Sequence, residues 1–417
     1  MKQMLRYGIK TIGLLCISVI LGVVLLVLAF LLPVQEMKNN VQRSTAIYDY
    51  EGVYPQLMAG YKMSQLDNCT DATMLLNAIY PRDINNILHE IMKIYRIEYN
   101  DRTPVGSLTD YANDVQADNH VVSYSRYWHG YLVILKPLLL LFDVADIRIF
   151  NMVLFGSLLL YIMLLMQRKG MKQYIPLFAV SVILLNPLAI PLSFQFSTVS
   201  YIMLLSVIVI LKKEDWRFES LFFFFMIIGI ATAYFDFLTF PLVGLYFPMI
   251  FLLIKKKSWK EAGKIVVFAS MAWIIGYGGM WSAKWIVGSV LTGKNLFADA
   301  LARANNYTNM EYGEGTVSSF QVILKNIMVL VKWPFVIIGA GFLLKAVRHL
   351  CKAAKKKCMN WKWGIPFALI IVAPIVWYLA AGTHSYIHYW FTYRELCVSV
   401  FALLVGLWKI GEDTENL

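Results

Sequence analysis

Apolar runs close to the length of a membrane span recur along the chain, separated by short lysine-rich connections and by two longer polar stretches. A helix needs about 20 apolar residues to cross roughly 30 Å of hydrocarbon. Runs near that length fall at residues 11–32, 149–166, 174–192, 198–211, 221–237, 240–254, 265–281, 323–344, 364–381 and 396–408. The pattern predicts an all-α polytopic membrane protein of about ten transmembrane helices. Positive charge precedes the first run, as in a signal peptide, but the run is too long and no small-residue cleavage site follows it, so it reads as an uncleaved first span.

The polar stretch after that span, residues 34–128, is rich in Asp, Asn, Tyr and Arg and contains short amphipathic pieces such as 84–95. It closes on WHGYLVILKPLLLLFDVADIR, Trp128 to Arg148, where Lys136 and Pro137 interrupt an apolar run of about a dozen residues. So short a run predicts an interfacial or re-entrant helix rather than a span. The chain thus divides into the N-terminus and first span (1–33), a large helical extracytoplasmic loop (34–148), a transmembrane core (149–281), a second outer loop (282–319) and the last spans with an acidic tail (320–417).

Composition narrows the class. With 417 residues, 59% of them hydrophobic and 15% charged, the chain is too apolar for a soluble domain. The formal charge of +12 raises nucleic acid as a partner, but the distribution of the basic residues argues against it. They gather in short connections, at Arg168, Lys169 and Lys172, at Lys212, Lys213 and Arg217, at Lys255, Lys256 and Lys257, and from Lys345 to Lys362. If the spans alternate, these clusters and the basic N-terminus share one side, the positive-inside pattern with both termini cytoplasmic. Of the five cysteines only Cys69 is expected on the outer side, which leaves no exported disulfide within the chain.

Charge inside or beside a membrane span is costly, about 2.5–3.5 kcal/mol at a span centre, and so asks for a role. The stretch LDNCTDATMLLNAIY sets Asp67 and Asp71 at i and i+4, on one side of a helix. They suit a cation, a metal or a substrate hydroxyl between them; alternatively one of them caps the helix starting near Thr70. Asp236, in AYFDFLTFP, stands at the outer end of a span, either solvated by headgroups or paired with Lys284 or Arg394. Lys284 lies between Trp281 and Trp285, while His384, His388 and Arg394 share GTHSYIHYWFTYR with Tyr386, Tyr389, Trp390 and Tyr393. Cations among aromatics at headgroup depth are either anchors or a lipid-phosphate site. The two histidines add donors or an acid and base. As metal ligands they are weaker candidates, because i and i+4 spacing needs a helix and this stretch reads as a turn with an interfacial segment.

The order of these parts resembles the GT-C superfamily of membrane glycosyltransferases, which use polyprenyl-phosphate-linked sugars. The first span is followed at once by a long loop with an early acidic motif, LDNCTDATMLLNAIY. The loop ends on YSRYWHGYLVILKPLLLLF, and Arg148-x-x-Asn151 opens the next span. The resemblance implies that Asp67 or Asp71 is the catalytic acid, taking the proton of an acceptor hydroxyl or holding a divalent metal that does so. It implies that Lys284 and Arg394, with His384 or His388, hold the donor phosphate. Asp236, Arg126 and His129 are left to the acceptor side or to structure. The implied partners are the lipid bilayer, a polyprenyl-phosphate sugar donor and a glycan or lipid acceptor, at a bacterial cytoplasmic membrane. A polysaccharide polymerase or ligase is an alternative, though its large loop usually lies between later spans. A transporter or flippase of lipid-linked glycans is another, with Asn186 and Pro187 in VILLNPLAIPL as a possible helix break.

Overall fold

The computed structural model describes residues 2–313 and 315–412. Its helices run α1 (Lys2–Phe30), α2 (Val34–Gln42), α3 (Thr45–Glu51), α4 (Asn68–Ile79), α5 (Ile87–Lys93), α6 (Pro104–Ala112), α7 (Leu132–Leu141), α8 (Val144–Arg168), α9 (Ile175–Leu185) and α10 (Phe194–Lys212). They continue as α11 (Phe218–Phe235), α12 (Pro241–Ile254), α13 (Trp259–Thr292), α14 (Leu296–Thr308), α15 (Ser319–Leu330), α16 (Trp333–Lys355), α17 (Gly364–Ala380), α18 (Gly382–Ile387), α19 (Tyr389–Thr392) and α20 (Glu395–Ile410). An antiparallel ribbon, β1 (Tyr95–Tyr99) with β2 (Asn119–Ser123), lies in the first loop with Tyr95 opposite Ser123. Among the described residues, eight helical stretches are long and apolar enough to cross a membrane: those of α1, α8, α10, α11, α13, α16 and α17, and the run from Tyr389 to Ile410. The chain is an all-α membrane protein.

Side-chain contacts separate the bundle into two ends. At one end Lys10 pairs with Glu219 and Lys169 with Glu214, the Lys255 Nζ donates to the Lys213 carbonyl at 3.0 Å, and the Tyr174 hydroxyl donates to Glu412 at 2.5 Å. Most of the lysine-rich connections lie here. The opposite end carries the first loop, the 186–193 and 236–240 turns, α14, and the 381–394 segment; we call it the loop-bearing end.

Local chemistry explains where helices depart from the apolar runs. The run at 174–192 yields a helix only to Leu185, because Asn186 turns into the left-handed region (φ 62°) and Pro187 and Pro191 cannot continue it. α12 has only 14 residues, all buried, and begins at Pro241, whose missing N–H costs nothing at that position. The single run at 323–344 is split into α15 and α16 at Val331–Lys332, where Pro334, near the start of α16, disfavours an unbroken helix. α13 extends to Thr292, well past the apolar run, so Lys284 lies within a helix and not after one.

The bundle closes on α11 and α13. Gly229 and Gly276 face each other's helices so closely that a Cβ on Gly229 would sit 2.3 Å from the Trp273 carbonyl oxygen, and one on Gly276 would sit 2.1 Å from that of Met226. Backbones approach this closely only where no side chain intervenes, the small-residue packing typical of helices in lipid.

Candidate functional site

The two acids of the first loop are both bound to helix N-termini. Asp67 caps α4: one carboxylate oxygen accepts from the Thr70 N–H at 3.0 Å and the other from the Thr70 hydroxyl at 3.1 Å. Asp71 reaches from α4 to the start of α10, accepting from the N–H groups of Phe194 (3.0 Å) and Gln195 (3.1 Å) and from the Ser193 hydroxyl (3.2 Å). Those N–H groups have no partner within α10, and a carboxylate there also meets the positive end of the helix dipole. Burial raises the Asp67 carboxyl to about 6 and that of Asp71 to about 7. Beside them the Arg148 Nη1 donates to both Glu51 carboxylate oxygens (2.8 and 3.0 Å) and its Nη2 to the Asn68 side-chain oxygen at 3.1 Å, tying α8 to the loop. The Asp67 and Asp71 oxygens are thus engaged, and among the described residues no group of three or more His, Cys, Asp or Glu side chains is placed to hold a metal. The pair does not fit a divalent ion.

Lys284 and Arg394 are wholly buried, and their cationic groups are spent on backbone carbonyls. The Lys284 Nζ donates to the Met92 carbonyl at 3.0 Å and lies over the Trp128 ring, 5.5 Å from its centroid. Arg394 donates through Nε to the Leu185 carbonyl at 2.8 Å and through Nη2 to that of Met63 at 3.3 Å, and its guanidinium stacks over Phe196 at 4.4 Å. Asp236 pairs with neither cation: it closes its own turn, accepting from the Thr239 N–H at 2.9 Å and the Thr239 hydroxyl at 2.5 Å. Asp67, Asp71, Lys284 and Arg394 are thus each held by partners of their own.

The histidine segment is more helical than the sequence indicates. His384 lies in α18, and the His388 N–H donates to the His384 carbonyl at 2.9 Å, which sets the two rings 4.8 Å apart. Burial lowers His384 to about 3 and His388 to about 4, so both imidazoles are neutral at physiological pH and bring no charge to a phosphate. The His384 Nε2 meets the Leu238 carbonyl at 2.9 Å and its ring packs edge-on against Tyr307 at 4.8 Å.

What those rings back onto is a cavity of about 370 Å³ at the loop-bearing end, lined by Arg126, Arg303, Tyr127, Tyr277, Trp281, Trp285 and Tyr307. Tyr277, Trp281 and Trp285 repeat at i and i+4 along α13, as Arg303 and Tyr307 do along α14, so each helix turns one aromatic and cationic face to the space. The α13–α14 corner is fixed by Gly293 (φ 65°), by the Asn295 cap on Ala298, and by Leu296, whose N–H donates to the Ser289 hydroxyl at 3.0 Å. Arg126 is held from behind: its carbonyl accepts from the Trp285 indole at 3.2 Å, its guanidinium lies over Tyr124, and its Nη1 pairs with Asp299 at 3.2 Å on the rim. The Nε of Arg126 and the Nε of Arg303 are buried and have no hydrogen-bond partner among the described residues. Two such donors, at about 1–3 kcal/mol each, are costly unless an acceptor arrives.

His129 sits behind this cavity. Its backbone is left-handed (φ 56°), an uncommon state for a non-glycine residue, and its Nε2 meets the Tyr124 carbonyl at 2.6 Å. The turn is forced by the next residue. The Gly130 N–H donates to the Tyr234 carbonyl at 2.9 Å, and any Cβ on Gly130 would meet the Tyr234 ring at 2.2 Å. His129, Tyr124, Tyr127 and Tyr131 pack around Phe237 at 5.0–5.8 Å, and burial lowers the His129 imidazole well below its usual range.

Deeper along α13 the same face borders a second, apolar cavity of about 570 Å³ between α12, α13 and α17, lined by Tyr246, Trp273, Ile274, Val372 and Val376 among others. Ile274, Val372 and Val376 are exposed, so this groove opens sideways to the surroundings of the bundle. From Ser270 in the apolar groove to Ser282 in the upper cavity, α13 rises about 18 Å. Both cavities lie along α13, the aromatic and arginine-lined one nearer the loop-bearing end and the apolar one deeper in the bundle. Arg303 escaped the sequence reading because it lies in a polar loop with no apolar contrast; the i and i+4 pairs it shares with Tyr307 and the α13 aromatics were the available signal. No protein-family model, curated protein or solved structure matches the chain.

Proposed function

We propose that this protein is a membrane glycosyltransferase that takes a sugar from a polyprenyl-phosphate carrier and hands it to a glycan or lipid acceptor at the loop-bearing face. In this reading that face is extracytoplasmic and both termini are cytoplasmic, which the positive-inside pattern of the basic residues supports. The observation that carries the reading is the pair of unpartnered arginine donors on an aromatic-lined cavity, set above an apolar groove along the same helix. Guanidinium groups present donors that match phosphate oxygens, and aromatic rings suit a sugar as well as an isoprenoid.

In this reading Arg126 and Arg303 hold the carrier phosphate while the isoprenoid lies along α13. The bond from the sugar's anomeric carbon to the phosphate oxygen breaks as the acceptor hydroxyl attacks that carbon. The electron pair leaves with the polyprenyl phosphate, whose charge the two guanidinium groups stabilise, and the hydroxyl proton passes to a carboxylate. The carboxylate, in this reading, is Asp299, which pairs with Arg126. Asp67 and Asp71 then serve by fixing α4 and α10 beneath the loop. The architecture-level likeness to the GT-C superfamily supports the same activity.

The test is the sugar composition of surface glycans in a strain lacking the gene and complemented with wild type, Arg303→Gln or Asp299→Asn, each checked for membrane abundance. The expected result is a sugar lost on deletion, restored by wild type and absent with Arg303→Gln. Glycans unchanged by deletion would contradict the proposal.

A further inference from the structure

A third cavity, of about 420 Å³, lies at the loop-bearing end apart from the arginine site, and lysines dominate its polar lining. Lys62 comes from the turn Lys62–Ser64 in the first loop, Lys325 from α15 and Lys332 from the N-cap of α16, with Tyr386, Tyr389 and Gln321 completing the wall. Among the described residues none of the three lysines has a carboxylate partner. The Lys325 Nζ lies 3.6 Å from the centroid of the Tyr386 ring and 4.5 Å from that of Tyr389, and Lys62 donates to Gln65 at 2.9 Å. The site is built rather than incidental, since the Met63 carbonyl, next to Lys62, is gripped by both Arg394 (3.3 Å) and Asn186 (3.0 Å).

Three lysines thus line one cavity on the end opposite most of the lysine-rich connections, with no carboxylate partner among the described residues to neutralise them. An anion would supply that missing countercharge. Leu324 and Met328 of its lining are exposed and apolar, as are Phe320 and Trp333 on the same two helices α15 and α16, a mixture that suits the boundary between headgroups and hydrocarbon. We propose that Lys62, Lys325 and Lys332 form a second anion site that binds a phosphate-bearing group, independent of the carrier site at Arg126 and Arg303. The group is either the headgroup of an anionic lipid or a soluble phosphorylated compound.

Isothermal titration of the full chain in a non-ionic detergent separates the sources, with short-chain phosphatidylglycerol and inorganic pyrophosphate as probes and short-chain phosphatidylcholine as the control. Wild type is expected to bind phosphatidylglycerol over phosphatidylcholine, with one class of site lost, or weakened at least about tenfold, in Lys325→Gln/Lys332→Gln and kept in Arg126→Gln/Arg303→Gln. Competition by pyrophosphate at that class identifies a soluble ligand, and its absence a lipid headgroup. The charge-preserving Lys325→Arg/Lys332→Arg chain guards against a folding artefact and is expected to bind like wild type. The proposal is overturned if wild type neither prefers phosphatidylglycerol to phosphatidylcholine nor binds pyrophosphate, if the Gln chain binds as wild type does, or if a folded Arg chain binds no better than the Gln chain. Because the readout is binding, it stands or falls separately from transferase activity.

Discussion

A charged residue in an apolar setting has two destinies, and the distinction lies in whether its donors or acceptors are already used. Arg394 and Lys284 look like phosphate ligands in the sequence, since each stands among aromatics; in the fold both are tied to carbonyls at helix ends and turns. Arg126 and Arg303 retain free, buried Nε donors. Asp71 belongs to the first kind, and this has a consequence for pH. Burial raises its carboxyl from 3.8 to about 7, with Arg148 and the α10 N–H groups offsetting part of the effect. Between those values the folded chain keeps a proton that the unfolded chain releases, so stability falls as pH rises from 3.8 to about 7 and levels off above it. Asp67, raised to about 6, acts in the same direction. Thermal unfolding of the detergent-solubilised protein across that range is expected to show the decline, and Asp71→Asn to flatten it. An unchanged slope in Asp71→Asn would show that Asp71 does not hold the proton.

At the scale of the element, a helix that begins inside the bundle needs a partner for its first N–H groups. α10 and α12 both begin inside the bundle, and both receive a carboxylate from elsewhere: Asp71 for α10, and Glu395 for α12, accepting from the Leu242 N–H at 3.2 Å. Long-range caps of this kind leave little trace in sequence, because the donor helix and the acid are far apart in the chain, whereas the local cap Asp67 is visible beside Thr70. The α11–α13 contact is the reverse case. Gly229 and Gly276 are unremarked in an apolar run, yet they set the spacing on which α13, and with it both cavities, depends. Gly276→Ala puts a Cβ about 2.1 Å from a carbonyl oxygen, far inside contact distance, and is expected to destabilise by about 1–3 kcal/mol. A melting temperature equal to wild type would mean that the helices separate without cost.

For the whole molecule, hydropathy foretold an all-α membrane bundle, and among the described residues eight helices have spanning length and composition, while α9 stops short of its apolar run and α12 fills a run that is itself too short. Period and length carry that information; the assembly of a site does not follow from them. Arg126, in the first loop, meets α13 and α14 through more than 150 residues of intervening chain, as its bond to Trp285 shows (|i−j| = 159). Sequence could mark Arg126 and His129 as unusual but not join them to Arg303. The measurement that goes most directly to the central claim is the affinity of the purified chain for a polyprenyl monophosphate, compared between wild type and Arg126→Gln/Arg303→Gln. A loss of at least about tenfold in the variant, with its fold intact by thermal unfolding, is the predicted result; equal affinity in the two chains would contradict it.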